Sequence, residues 1–239
     1  MIFTDRSRSE LERIQRVWDM EECKKLAAKQ MFYYANDDRK GMIEELWVRE
    51  PENAKTASFG RNWGFYLGID EIERYFVECD QTGETGFMAN HPMSSCALNV
   101  ARDGKTAYGL WYCLALEAAG QGEGKAVGYW ISELIGMDFI RETDGWRIWH
   151  MFQGTEMYIR AGRNAENFPA ILLPDAPVFE LKKEFVEGKP TREFTAYTEY
   201  QYRKFPPLPL PHETYSLEQS CGIEANPFYR DMNGGKQDE

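Results

Sequence analysis

Two tight-turn signals cut the stretch from Met93 to Gln153 into long strands, and they leave few folds open. The run 93–101 ends in Arg102-Asp103-Gly104-Lys105, and the next run, 106–117, begins at once. A third run covers 126–142, and Thr143-Asp144-Gly145 returns it into 146–153. An Asp-Gly pair between two β-patterned runs is a hairpin signal, and a short hairpin makes its strands antiparallel neighbours. Glycines inside these strands, Gly136 among them, suit a sharply curved sheet in which a bend leaves no room for a side chain. The glycine-rich run Gly120–Gly124 lacks the Lys-Ser/Thr of a phosphate loop and opens no helix, so it reads as a hairpin loop.

Everything before this meander has helical spacing. Leu11, Ile14 and Trp18 predict a helix over 5–18, with Ser7 or Ser9 as cap. Cys23, Leu26, Ala27, Met31 and Tyr34 predict a second over 20–36, stopped by Asn36-Asp37-Asp38. Short helices are expected at 39–47 and at 69–78, the latter opened by Gly68 and Asp70. Helices followed by an antiparallel meander give an α+β class, with helices packed on one side of the sheet. The composition changes near Gly162. All seven tryptophans precede it and nine of eleven prolines follow it. Residues 1–162 therefore read as the packed domain and 163–239 as a C-terminal extension. Within it, Phe205-Pro-Pro-Leu-Pro-Leu-Pro211 cannot supply the hydrogen bonds of a central strand and reads as an extended arm. Phe205, Leu208, Leu210, Tyr215, Phe228 and Tyr229 make that arm too apolar for a solvated linker. It is expected to lie on this domain or on a neighbouring subunit of a homodimer or homotrimer.

A net charge of −11 opposes binding to phosphate backbones or to anionic membrane surfaces. No apolar run approaches the roughly 18–20 residues that span a bilayer, and the N-terminus has no apolar signal core. A cytoplasmic location is expected. Five cysteines match no zinc or redox spacing and read as reduced, mostly buried thiols.

Three histidines make each one informative. His91 precedes a strand in Asn90-His91-Pro92-Met93. His150 shares a strand face with Trp146, Ile148 and Phe152, which suggests a cavity wall. Tyr33 can donate to a developing oxyanion, and Asp38 can orient a histidine. Each has an ordinary alternative: a histidine bonded to a backbone carbonyl, an aspartate cap, a core tyrosine. No nucleophile elbow, metal motif, dinucleotide fingerprint or cysteine–histidine signature is present, which leaves general acid/base chemistry.

Residues 8–155 resemble the SnoaL-like branch of the nuclear transport factor 2-like (NTF2-like) superfamily. The resemblance rests on Tyr33-Tyr-Ala-Asn-Asp-Asp38-Arg-Lys-Gly-Met-Ile-Glu-Glu-Leu46, Gly68-Ile-Asp-Glu-Ile72, His91 before a strand, Val100-Ala-Arg-Asp-Gly-Lys-Thr-Ala107 and Asp144-Gly-Trp-Arg-Ile148. It implies a cone: a curved sheet around a deep pocket closed by the N-terminal helices. It also implies dehydratases, cyclases, isomerases and carbon–carbon lyases that use neither metal nor organic cofactor. Tyr33, Asp38 and His91 match that family's catalytic tyrosine, aspartate and histidine. A further basic residue of the family, on the last strand, has no direct match, and His150 is the candidate by alternation. The resulting expectation is a lyase that dehydrates or deformylates a hydroxylated aromatic or polycyclic molecule. Tyr34, Trp63, Trp111 and Trp130 are its expected binding surface. A ketosteroid-isomerase-like enzyme and a non-catalytic binding or assembly protein are the alternatives.

Overall fold

The computed structural model describes residues 8–79, 88–120, 126–161, 192–193 and 205–226. Its first element is a single helix, α1 (Glu10–Ala35), where the sequence predicts two. Ser9 starts it in a reciprocal capping box with Glu12. Asp19, which lies between the two predicted helices, is an inward anchor within the one helix: it is buried, accepts from Trp146 Nε1 at 3.2 Å and pairs with Arg141 at 2.6 Å. Cys23, Ala27 and Gln30 continue that buried stripe, while Leu11, Ile14, Val17 and Trp18 face outward.

Asp38 caps α2 (Arg39–Leu46) by accepting from the Gly41 amide. Two elements go unpredicted by the sequence reading, α3 (Pro51–Thr56) and the hairpin β1 (Ser58–Arg61)–β2 (Gly64–Leu67). These strands are only four residues long, too short to show an alternation. Gly68, at φ 80, opens α4 (Ile69–Glu73), which passes into a wider π-helical turn, 74–79. The sequence predicts one uninterrupted helix there. After β3 (Met88–Asn90) come β4 (Met93–Val100), β5 (Thr106–Gly120), β6 (Ala126–Glu142) and β7 (Gly145–Arg160). Gly104 at φ 71 and Gly145 at φ 135 make the two predicted turns, in conformations that disfavour a side chain. The expected loop of Gly120–Gly124 lies almost wholly outside the described residues.

The curved, open sheet runs β3-β5-β6-β7-β1-β2-β8, with β4 beside β3 on the same edge of β5; β8 is the pair Arg192–Glu193. All pairings within the meander are antiparallel, and β1 joins β7 in parallel. One sheet face carries Trp111, Cys113, Ile131, Ile135, Met137, Ile148 and Met151, and packs on Cys23 and Ala27 of α1 and Met42, Ile43 and Leu46 of α2. The opposite face carries Phe65, Tyr108 and Phe152, and is covered by the arm residues Phe205, Cys221 and Ile223. Residues 205–226 thus form a strap on the chain's own sheet. It is tied down by Tyr108 Oη donating to the Pro207 carbonyl (2.6 Å), by Asn99 to that of Pro209 (3.2 Å) and by the Arg102 amide to that of His212 (2.9 Å).

Candidate active site

Alternation along β5 and β6 puts Glu117 and Glu133 on the helix-covered face. Glu117 continues the row of Trp111, Cys113 and Ala115, and Glu133 lies between Ile131 and Ile135. His91, at the turn from β3 into β4, reaches the same place. Its Nδ1 lies 3.1 Å from Glu133 Oε2 and its Nε2 3.1 Å from Glu117 Oε1. The His91 and Glu133 side chains are each 1% exposed, and that of Glu117 is 15% exposed.

Glu133 is held from three further directions. Gln153 Nε2 donates to it at 2.7 Å, Thr155 Oγ1 at 3.1 Å, and the Arg61 guanidinium lies 3.9 Å away. Thr155 is fixed in turn by Asn62, which exchanges two hydrogen bonds with its backbone. Burial alone would raise the Glu133 pKa. The bond to His91, the His91 and Arg61 charges and the Gln153 amide outweigh it and bring the value down to about 2. Burial likewise opposes charge on His91, yet its hydrogen bonds to Cys113, Glu117 and Glu133 hold its pKa well above that of a free imidazole. Two carboxylates flanking the ring suit an imidazolium that donates from both nitrogens. Tyr34 meets it edge-on, ring centroids 5.2 Å apart, and the buried Arg39 guanidinium stacks 3.5 Å from the Tyr34 ring centroid.

His91, Cys113 and Glu133 offer ligand atoms within 4.8 Å of one another. They fit a metal ion poorly: both ring nitrogens are committed as donors, and Arg61 already places a cation beside Glu133. The arrangement suits proton transfer, with one cationic acid between two carboxylates in a low-dielectric setting.

The other residues singled out in the sequence lie elsewhere. Asp38 is exposed at its cap and makes no hydrogen bond to His91; its expected place is taken by Glu133 and Glu117. Tyr33 is half-buried at the edge of the core and donates to Glu45, which with burial and Asp38 nearby raises its pKa to about 12. One residue on, Tyr34 is the tyrosine that reaches His91. A helix turns about 100° per residue, so adjacent tyrosines face different surroundings. His150 is buried on the strap-covered face with Phe152, and not beside Trp146 and Ile148 as the alternation predicts. A register irregularity between Ile148 and His150 leaves Trp146 and Ile148 on the helix-covered face. His150 Nδ1 bonds Ser58 Oγ at 2.9 Å, and Gly222 packs on its ring. Burial lowers its pKa to about 3. Trp111 is in the core, Trp63 is half-buried under Arg61, and Trp130 is 46% exposed. Glu133, Glu117 and Gln153 go unmarked in the sequence reading. Their one sequence signal is a polar residue at an inward position of an otherwise apolar alternation. A cleft of about 280 Å³ between α1 and the β4–β5 turn is lined by Arg8, Glu12, Gln15, Arg16, Asp19 and residues 100–104, with none of the His91 group.

Solved structures share this fold. A hexachlorocyclohexane dehydrochlorinase of type 2 is 13% identical, with a TM-score of 0.51 over 65% of this chain and 96% of that one. A type-3 enzyme from Novosphingobium barchaimii is 13% identical, with a TM-score of 0.50 over 65% and 97%. An NTF2-like protein with a cystatin-like fold from Novosphingobium aromaticivorans is 16% identical, with a TM-score of 0.46 over 64% and 89%. No curated protein matches the chain in sequence. The model of the SnoaL-like domain matches residues 15–151, more than half of the sequence. The chain belongs to the SnoaL-like domain family.

Proposed function

We propose that the protein is an acid/base lyase acting on a hydroxylated aromatic or polycyclic small molecule. The carrying observation is the buried His91, bonded through both nitrogens to carboxylates on the sheet face that the helices enclose. The family supports conversion of a small molecule, and the dehydrochlorinases of the same fold act, by their names, through an elimination. In a dehydration, the proton leaves a carbon next to an activating carbonyl and its electron pair becomes the new double bond. The β-hydroxyl departs as water after regaining a proton. In a retro-aldol step the proton comes off the hydroxyl, and the carbon–carbon pair passes to the carbonyl as an enolate. Both reactions need one proton taken and one returned, which the Glu117–His91–Glu133 group can carry. Positioned groups of this kind supply about 10²–10⁴ in rate.

β-Hydroxypropiophenone tests the reading, because dehydration yields phenyl vinyl ketone and retro-aldol cleavage yields acetophenone and formaldehyde. Either product should form in the wild type, and His91→Ala should slow it by about a hundredfold or more. Equal rates in the two proteins would overturn the proposal.

A further inference from the structure

We infer that Glu117 is the member of this group that touches the substrate, and that His91 acts through it. This deepens the reading above and rests on it. Neither ring nitrogen of His91 is open, and its side chain is 1% exposed. Glu117 is the most exposed of the three, at 15%, so the route from the imidazole to accessible space runs through its carboxylate. Glu133 is the opposite end: fully buried, bonded by Gln153 and Thr155 and flanked by Arg61, it has no face left for a ligand. The three therefore have unequal roles. Glu133 is a positioning residue that fixes the tilt and charge of the imidazolium. His91 steadies the charge on Glu117 by donating from Nε2. Glu117 takes the substrate proton on a carboxylate oxygen: an O–H bond forms, the substrate C–H or O–H bond breaks, and the electron pair stays with the substrate. The same oxygen then returns the proton to the departing oxygen or to the enolate carbon, so the group ends as it began.

Two measurements on the whole protein decide the matter. The first uses styrene oxide, a small aryl electrophile that a carboxylate opens to a stable hydroxy-ester. Peptide mass spectrometry should find that ester on Glu117 and not on Glu133. An adduct on His91, or an unmodified Glu117, would overturn the inference without any variant having to fold. The second uses β-hydroxypropiophenone. Glu117→Gln should lower kcat about a hundredfold with KM little changed and the circular dichroism intact, while Glu117→Asp restores part of the rate. An undiminished kcat in Glu117→Gln would equally overturn it. The outcomes separate the two readings. A wild type that esterifies at Glu117 but makes neither product keeps the contact and removes the lyase. Turnover without esterification removes the contact and keeps the lyase.

Discussion

Glu133 shows what one residue does to its surroundings. Its carboxylate is surrounded by an imidazolium, a guanidinium, an amide and a hydroxyl. Glu133→Gln leaves two buried cations short of a counter-charge, a break that costs about 3–5 kcal/mol in other buried pairs. Urea unfolding at pH 7 should show a loss of that size, and an unchanged midpoint would contradict it. The same pair shapes the pH profile. Glu133, lowered from 4.5 to about 2, contributes stability above pH 4.5 that is lost as pH falls toward 2. His91, raised well above 6.5, contributes stability that is complete below pH 6.5 and is lost as pH rises through its folded value. Histidine ring ¹⁵N spectra should therefore show His91 still doubly protonated at neutral pH in the wild type. In Glu133→Gln it should deprotonate at a lower pH.

Two elements meet beneath the strap. Asp138 and His150 are register partners on β6 and β7, and residues 220–222 cover both. Asp138 accepts from Ser220 Oγ at 2.6 Å and the Cys221 amide at 3.1 Å, yet burial outweighs those bonds and lifts its pKa from 3.8 to about 7. A raised acid costs stability as pH climbs from about 4 to 7. A depressed histidine, here from 6.5 to about 3, costs stability as pH falls across nearly the same interval. Each effect is on the order of 4–5 kcal/mol over its full span, and the two oppose each other. Asp138→Asn should therefore lose more stability than the wild type between pH 6.5 and 4, and His150→Gln should gain it. Parallel unfolding curves for all three proteins would refute this opposition. In β1, a Cβ on Gly60 would come within 2.5 Å of the Phe65 ring and 2.6 Å of the Phe152 ring. Gly60→Ala should cost about 1–3 kcal/mol in chemical denaturation.

At the scale of the molecule, the strap completes a second core. Phe205, Cys221 and Ile223 close over Phe65, Tyr108 and Phe152, and the Tyr108 hydroxyl takes its acceptor from Pro207. Removing residues 205–239 strips this face, leaving buried polar groups on Asp138, His150 and Tyr108 without their covers. The truncated chain should melt at a lower temperature and bind the dye ANS. A melt superimposable on the full chain's, with no dye binding, would show that the strap adds nothing to the core. No helix among the described residues is long and apolar enough to cross a membrane.

The sequence by itself determined the meander, its turns at Gly104 and Gly145, the α+β class and the family, because these rest on contacts between near neighbours and on backbone conformations that few residues adopt. It also singled out His91. It divided α1 in two around Asp19, because the Trp146 and Arg141 that satisfy this buried carboxylate are far away along the chain. Only the tertiary structure decided the partners of His91. Glu117 and Glu133 lie 26 and 42 residues away, and three strands must pair in one register to bring them to a single imidazole. The same pairing placed His150 under the strap and left Asp38 at its cap. The alternation of a strand is written locally, but the irregularity that puts Ile148 and His150 on opposite faces of β7 is not. What stands opposite a side chain is set by strands and helices that close only when the whole chain folds.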